Sequence, residues 1–306
     1  MKHIFGPVLS RRLGFSLGVD LVPFKTCSLD CIYCQLGRTT HKTLERKSYV
    51  SLERVIPELN DALKQDQKID YITLSGSGEP TLHLDLGSII TAIKEITDIP
   101  VAVLTNGTLL HFERVRDELM AADLVVPSLD AVTQDVFCKI NNPHPDIHVS
   151  QMISGLKRLR EVFLKEIWLE IMLVKGVNDF PDEIKKLKDV VSSIAFDKVQ
   201  LNTTVRPAAD KTIEPLANEE LASIKEWLGE RCEVIAGFRE NQHTIGTNIP
   251  EKIMGIIGRR PLNLYEISDS LGLPKERTTK HLTLLEQQGR IESLAYGSEL
   301  YYQLKR

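Results

Sequence analysis

Three cysteines crowd into one short segment, and their spacing constrains the fold and chemistry of this chain more than any other feature. Cys27, Cys31 and Cys34 follow the pattern Cys-x3-Cys-x2-Cys, directly after the largely apolar run 19–24. Three thiolates can bind three irons of a four-iron, four-sulfur cluster and leave the fourth iron open to a ligand from outside the protein. A structural zinc site would need a fourth Cys or His nearby, and the nearest following histidine is His41. Free thiols are a weaker alternative, because clustered exposed thiols oxidise readily.

Length and composition describe an ordinary globular protein. The 306 residues, 42% hydrophobic and 26% charged, fit about two domains or one large domain with a small appendage. Cys138 and Cys232 stand alone, so we expect small core residues and no disulfide framework. No apolar run reaches the roughly 20 residues that cross a bilayer, and the N-terminus lacks a signal-peptide core. We therefore expect a cytoplasmic protein without a membrane partner.

Strand-like and helix-like segments alternate along most of the chain. Residues 1–18 show no clear periodicity and are expected to lead into the first strand. Six short apolar strands are predicted at 19–22, 69–74, 100–104, 123–127, 167–174 and 198–201. The predicted helices begin after Ser51 and cover 84–96, 112–120, 134–140, 150–163, 182–194 and 218–228. This alternation predicts an α/β protein with a parallel sheet, and periodicity alone leaves open whether the sheet is doubly wound or a barrel.

Polar and glycine residues follow several of the predicted strands. The turn 75–81 follows the second strand, Asn106 the third, and Ser128 with Asp130 the fourth. The carboxyl ends of parallel strands share one edge of the sheet, so we expect these residues to form a common site there. An ordinary turn at Asn106 and a helix N-cap at Asp130 are the competing interpretations.

The cysteine spacing, with Tyr33 just before the last cysteine, and the turn Gly76-Ser77-Gly78-Glu79-Pro80 resemble the radical S-adenosylmethionine (radical SAM) superfamily. The resemblance implies a partial (β/α)6 barrel with the cysteine loop after the first strand. It also implies a [4Fe-4S] cluster on the three cysteines, with SAM bound to the open iron. One electron from the reduced cluster then cleaves SAM to methionine and a 5′-deoxyadenosyl radical, which abstracts hydrogen from a substrate that the sequence does not identify. Reduced flavodoxin or ferredoxin is the implied electron donor.

The resemblance also assigns roles to individual residues. The glycine turn would engage the SAM amino group, Ser128 and Asp130 the ribose or carboxylate, and Asn202 would lie beside the adenine. The implied cofactor-binding residues are Tyr33, Gly76, Ser77, Gly78, Glu79, Asn106, Ser128, Asp130 and Asn202. No catalytic residue facing the substrate is assigned.

Five other residues are candidates for binding substrate. The adjacent Arg11 and Arg12 could bind an anionic group, although a solvated pair is equally consistent with the sequence. His144 and Lys175 occupy polar loops, where such side chains are usually solvated. Arg206 is expected over the mouth of the barrel.

The alternation of strands and helices stops near residue 250. We expect two domains, covering 1–249 and 250–306. The predicted elements of the second domain, which resembles a winged helix-turn-helix, are helices 253–257, 264–271 and 275–288 and a hairpin of 290–295 with 299–304. Residues 250–306 contain nine Lys and Arg and seven Asp and Glu. This charge of +2 is weak for DNA binding, so contact with a protein partner or cover over the barrel mouth is favoured over contact with nucleic acid.

Within the superfamily, the segments 5–7, 10–12 and 34–37 are similar to iron–sulfur oxidoreductases related to the tRNA wybutosine-synthesising enzymes. The chain lacks cysteines before Cys27, and residues 1–249 carry a formal charge of −6. Both features depart from that tRNA-modifying group. A glycyl-radical-activating enzyme and an iron–sulfur-sensing DNA-binding regulator are the other two hypotheses.

Overall fold

A computed structural model describes residues 3–65, 67–235, 249–258 and 260–305. Its strands are β1 (Ile4–Ser10), β2 (Gly14–Val19), β3 (Thr26–Cys27), β4 (His41–Lys42), β5 (Tyr71–Leu74), β6 (Val101–Thr105), β7 (Leu124–Pro127), β8 (Glu166–Leu173), β9 (Lys198–Thr203), β10 (Cys232–Val234), β11 (Leu262–Asn263), β12 (Ile291–Tyr296) and β13 (Glu299–Leu304). Its helices are α1 (Leu52–Leu63), α2 (Leu86–Ile96), α3 (Glu113–Leu119), α4 (Gln134–Asn141), α5 (Val149–Val162), α6 (Pro181–Ser193), α7 (Asn218–Leu228), α8 (Ile249–Ile257), α9 (Leu264–Leu271) and α10 (Lys275–Gln287).

Eight strands form one sheet in the order β1-β2-β5-β6-β7-β8-β9-β10. The β1–β2 pair is antiparallel, and every other neighbouring pair in this sheet is parallel. The predicted α/β fold with a parallel sheet is confirmed, and the six predicted strands correspond to β2 and β5–β9. Among the described residues no strand pairing joins β1 to β10, so the sheet is open.

The first predicted strand was wrong in its position. We expected it at 19–22, whereas β2 ends at Val19 and residues 4–19 form a hairpin with β1. The hairpin escaped the sequence analysis because β1 shows no clean alternation of buried and exposed residues, and β2 is buried on both faces. Strand β10, with three residues, is too short to produce a pattern.

The helices bury one face each against this sheet. In α2 the buried residues are Leu86, Ile89, Ile90 and Ile93, spaced three or four apart as an amphipathic helix requires. Helix α1 begins after Ser51 as predicted, although the Ser51 side chain makes no capping hydrogen bond. In the described part of the chain, every helix is too short or too polar to cross a membrane.

The C-terminal elements have the predicted order of three helices and a hairpin. A short strand, β11, joins the hairpin to make a three-stranded antiparallel sheet. Helix α8 begins at Ile249, four residues before the predicted start. These elements share their own buried cluster, which includes Ile253, Leu262, Ile267 and Leu282. The division into domains at residue 250 stays a prediction, since residues 236–248 lie outside the described ranges.

The C-terminal segment packs against β1 and against the residues that follow β9. Val8 belongs to the C-terminal hydrophobic cluster. Tyr296 and Tyr301 donate their hydroxyl hydrogens to the backbone oxygens of Thr204 at 2.9 Å and Val205 at 2.8 Å.

Arg206 completes this contact by pairing with Glu266 of α9. The Arg206 side chain is only 1% exposed, and that of Glu266 is 4% exposed, while the expected position of Arg206 over the barrel mouth stays a prediction. Arg206 Nε donates to Glu266 Oε1 at 3.0 Å. The pair therefore joins the end of β9 to the C-terminal segment.

We predict that Arg206→Met lowers the free energy of unfolding by about 3–5 kcal/mol, because Glu266 becomes a buried charge without its cation. Arg290→Met is the matched control. Arg290 pairs with Glu251 where both side chains are 40% or more exposed, so its loss should cost less than about 1 kcal/mol. Urea unfolding followed by circular dichroism measures both, and equal losses would contradict the prediction.

Candidate functional site

The cysteine loop lies beyond the carboxyl end of β2, and Cys27 ends the short strand β3. All three cysteine side chains are partly buried. Each sulfur accepts a hydrogen bond from a different side-chain nitrogen. The pairs are Asn106 Nδ2 to Cys27 Sγ at 3.4 Å, Asn141 Nδ2 to Cys31 Sγ at 3.3 Å and Lys25 Nζ to Cys34 Sγ at 3.1 Å.

This donor set fits an iron–sulfur cluster. Thiolates are soft ligands suited to iron–sulfur chemistry, and N–H groups around them stabilise their negative charge. Burial, together with the nearby Glu79 carboxylate, raises the pKa of the Cys27 thiol to about 12. Iron binding therefore has to displace a proton from this thiol. Across the described ranges, no three His, Cys, Asp or Glu side chains are close enough together to bind a single metal ion. The fit to an iron–sulfur cluster, in which each thiol binds a different iron, rests on the three thiols and their N–H donors.

The glycine turn 76–79 packs directly on the segment that leads into Cys27. The Lys25 N–H donates to the Ser77 carbonyl at 2.7 Å, and the Glu79 N–H donates to the Thr26 carbonyl at 3.1 Å. A Cβ atom on Gly78 would lie 1.8 Å from the Thr26 oxygen. Only glycine permits this approach, so Gly78 fixes the distance between the turn and the cysteine loop.

Asp20 is a site residue that the sequence analysis missed. Its carboxylate accepts the Ser77 N–H at 3.0 Å and the Ser77 hydroxyl at 2.5 Å, and its side chain is buried. Gly76 has a φ of +139°, and a Cβ there would lie 2.7 Å from Asp20 Cγ. The signal was present, because Asp20 is an acidic residue inside an otherwise apolar run.

Glu79 links the loops after β5 and β6. Its Oε1 accepts from the Thr81 N–H at 3.0 Å and from the hydroxyls of Thr81 and Thr105 at 2.6 Å. Its Oε2 accepts the Asn106 N–H at 2.7 Å. Burial raises the pKa of Glu79. The carboxylate thus positions Asn106 beside Cys27, and its contact with the SAM amino group stays a prediction.

Asp130 connects the cysteine loop to β7 and β8. Its Oδ2 accepts from the Tyr33 hydroxyl at 2.5 Å and from Asn141 Nδ2 at 2.7 Å, and its Oδ1 accepts the Met172 N–H at 2.8 Å. Burial raises the pKa of Asp130 to about 6. Asp130 is not a helix N-cap, since α4 is preceded by Thr133 at that position.

Ser128 and Asn202 are both linked to Glu170 of β8. The Ser128 N–H donates to the Thr105 carbonyl at 3.0 Å, and Ser128 pairs with Glu170 of β8 in an isolated bridge. Asn202 Nδ2 donates to Glu170 Oε1 at 3.0 Å. The SAM contacts of both side chains stay predictions.

The two adjacent arginines are not a solvated pair. Arg11 Nη1 donates to Asn202 Oδ1 at 3.0 Å, and Arg12 Nη1 lies 2.6 Å from Glu170 Oε2. Glu170 was missed by the sequence analysis because it lies within an apolar strand. Lys175 is exposed and pairs with Glu220 at 3.0 Å, while the backbone N–H of His144 donates to the Ser28 carbonyl at 2.9 Å.

We predict that Gly78→Ala lowers the affinity for the cluster by about tenfold or more, because the methyl group would displace the Thr26 backbone next to Cys27. Gly255→Ala is the control, since nothing lies within 4 Å of a Cβ at this position in α8. Iron and sulfide content after anaerobic reconstitution, with the visible absorbance of the cluster, measures the effect. Normal iron and sulfide in Gly78→Ala would contradict the prediction.

Two proteins illustrate the similarity of this chain to known sequences. It is 31% identical to a UPF0026 protein of Methanocaldococcus jannaschii over 99% of this chain and 96% of that protein. It is 38% identical to a protein of Brachyspira hyodysenteriae named GTPase Obg, over 98% of this chain. The chain spans only 45% of the length of the Brachyspira protein.

The fold is similar to that of a radical SAM methyltransferase from Sphaerobacter thermophilus. The TM-score is 0.55 at 16% sequence identity, covering 72% of this chain and 65% of that one. The family model described as the Radical SAM superfamily matches residues 21–190, which is more than half of the chain and includes the cysteine loop and the glycine turn. The chain therefore belongs to the Radical SAM superfamily, as an enzyme whose cofactors are an iron–sulfur cluster and S-adenosylmethionine.

Proposed function

We propose that this enzyme holds a [4Fe-4S] cluster on Cys27, Cys31 and Cys34 and cleaves SAM reductively to start a radical reaction on its substrate. One observation carries the proposal. The segment that leads into Cys27 packs against the glycine turn 76–79 beyond the carboxyl ends of the strands, and each of the three cysteine sulfurs accepts an N–H bond. This combination supports a cluster with a SAM site beside it.

Cys27, Cys31 and Cys34 would hold the cluster, which when reduced would supply the electron for cleavage of SAM to methionine and a 5′-deoxyadenosyl radical able to take a hydrogen atom from the substrate. The electron would come from reduced flavodoxin or ferredoxin. The chain itself binds and orients these groups and keeps water from them. Glycines in the turn let backbone groups approach SAM closely, and the proposed SAM contacts are Tyr33, Gly76, Ser77, Gly78, Glu79, Asn106, Ser128, Asp130 and Asn202.

Two buried carboxylates prepare the ligand environment. Glu79 holds Asn106, which donates to Cys27, and Asp130 holds Asn141, which donates to Cys31. Hydrogen bonds to cluster sulfurs raise the reduction potential by stabilising the reduced, more negative state. We assign these four residues a positioning role around the cluster.

We predict that the anaerobically reconstituted protein forms 5′-deoxyadenosine and methionine when given SAM and dithionite. Cys31→Ser should reduce 5′-deoxyadenosine to the background level, because one iron loses its ligand. Cys138→Ser should keep the wild-type rate, because Cys138 lies outside the motif and is exposed, so its expected place in the core was wrong. Liquid chromatography with mass spectrometry measures both products.

The regulator hypothesis gives the opposite result in the same experiment. A chain that used its cluster only for sensing would bind specific DNA in a cluster-dependent way and would leave SAM intact. Absence of 5′-deoxyadenosine from a fully loaded protein, together with such DNA binding, would overturn the proposed function.

A further inference from the structure

Lys25 is a buried cation beside the cysteine motif, two residues before Cys27. The residue is only 3% exposed. Its Nζ donates to Cys34 Sγ at 3.1 Å. An ammonium group loses its hydration when it is buried, so a buried lysine is stable only where a negative or strongly polar group faces it. Here the group at hydrogen-bond distance is the sulfur of a cysteine that the proposed function assigns to the cluster.

The backbone of Lys25 is held in an unusual conformation. Its φ is +59°, a left-handed value that glycine adopts freely and other residues adopt rarely. The Lys25 N–H donates to the Ser77 carbonyl at 2.7 Å, and the Lys25 carbonyl accepts the His41 N–H at 3.1 Å. These two bonds hold the residue between the glycine turn and β4. A glycine would relieve the backbone strain, so the contribution of the lysine lies in its side chain.

The three cysteine sulfurs have hydrogen-bond donors of different charge. The donors to Cys27 and Cys31 are neutral asparagine side chains, whereas the donor to Cys34 is a cation. Each asparagine is held by a buried carboxylate, whose negative charge opposes the addition of an electron nearby. A hydrogen bond from a charged donor is roughly twice as strong as one between neutral groups. Among these three donors, Lys25 is therefore the one that can offset the carboxylates.

We propose that Lys25 is a positioning residue that raises the reduction potential of the cluster through its charge on Cys34. Three thiolates already give the bound cluster negative charge, and one electron from the flavodoxin or ferredoxin donor adds to that charge. A buried cation at one of these thiolates stabilises the reduced state more than the oxidised state, because charges interact strongly where the effective dielectric is low. This inference rests on the proposed function, since it concerns the cluster of that same site.

We predict that Lys25→Met lowers the midpoint potential of the bound cluster by about 59 mV or more, which is a tenfold change in the equilibrium for one electron. Methionine is nearly as long as lysine but has no charge and no N–H donor. The full-length protein is reconstituted anaerobically and titrated potentiometrically without SAM, and electron paramagnetic resonance detects the reduced cluster. Lys94→Met is the matched control. Lys94 lies in the last turn of α2 and pairs with Asp123 at 2.6 Å, so its loss should leave the potential at the wild-type value.

Two further variants separate the charge of Lys25 from its hydrogen bond. Lys25→Gln keeps N–H donors and loses the charge, so the midpoint potential should also fall. Lys25→Arg keeps both the donors and the charge, so the potential should stay close to the wild-type value. If Lys25→Met does not fold or does not load with iron and sulfide, these two variants decide the question, and equal potentials in them would overturn the inference.

A wild-type potential in loaded Lys25→Met, or an equal shift in Lys94→Met, would overturn the inference. A lysine that only packs beneath the loop would change the iron and sulfide content and leave the potential of the loaded cluster unchanged, which is also a contradicting result. The potential is measured without SAM, and SAM cleavage is measured on the wild-type protein. The proposed function and this inference can therefore fail separately.

Discussion

The close approach of the glycine turn to the cysteine loop is the contact on which the rest of the site depends. Two backbone hydrogen bonds join residues 77 and 79 to residues 25 and 26, and the absence of a side chain at Gly78 allows them. These bonds fix the chain just before Cys27. They also place the Glu79 carboxylate where it accepts the backbone N–H of Asn106. The contact between the turn and the loop therefore positions both Cys27 and the Asn106 side chain that donates to its sulfur.

Two buried carboxylates position the asparagines that donate to the cysteine sulfurs. Glu79 and Asp130 are both buried. Glu79 accepts the backbone N–H of Asn106, whose side chain donates to Cys27 Sγ. Asp130 accepts from the Asn141 side chain, which also donates to Cys31 Sγ. Burying a carboxylate costs free energy unless several donors surround it. Here those donors come from the turn after β5, from the end of β6, from the cysteine loop, from α4 and from β8. The carboxylates therefore hold separate strand ends in one arrangement around the thiols.

The C-terminal segment contacts parts of the chain that lie near both ends of the open sheet. Strand β1 and the residues after β9 lie toward the two ends of the sheet, and both contact this segment. The buried Arg206–Glu266 pair and the two tyrosine hydroxyls satisfy polar groups at this contact. The segment thus helps to bury the Arg206 side chain, which is only 1% exposed.

The sequence by itself determined the cysteine motif, the order of the six core strands and helices, and the order of the C-terminal elements. These follow from local spacing and periodicity, which do not depend on distant residues. The tertiary structure alone decided the partners of the site residues. Lys25 and Asn141 show no local pattern that marks them. Asp20 and Glu170 stand out as acidic residues within apolar runs, but their partners are distant in sequence, as are those of Arg11, which reaches Asn202 across 191 residues. The hairpin β1–β2 also became evident only from the tertiary structure. Strand pairing and the C-terminal segment bury its residues, and its sequence has no periodicity that predicts this burial.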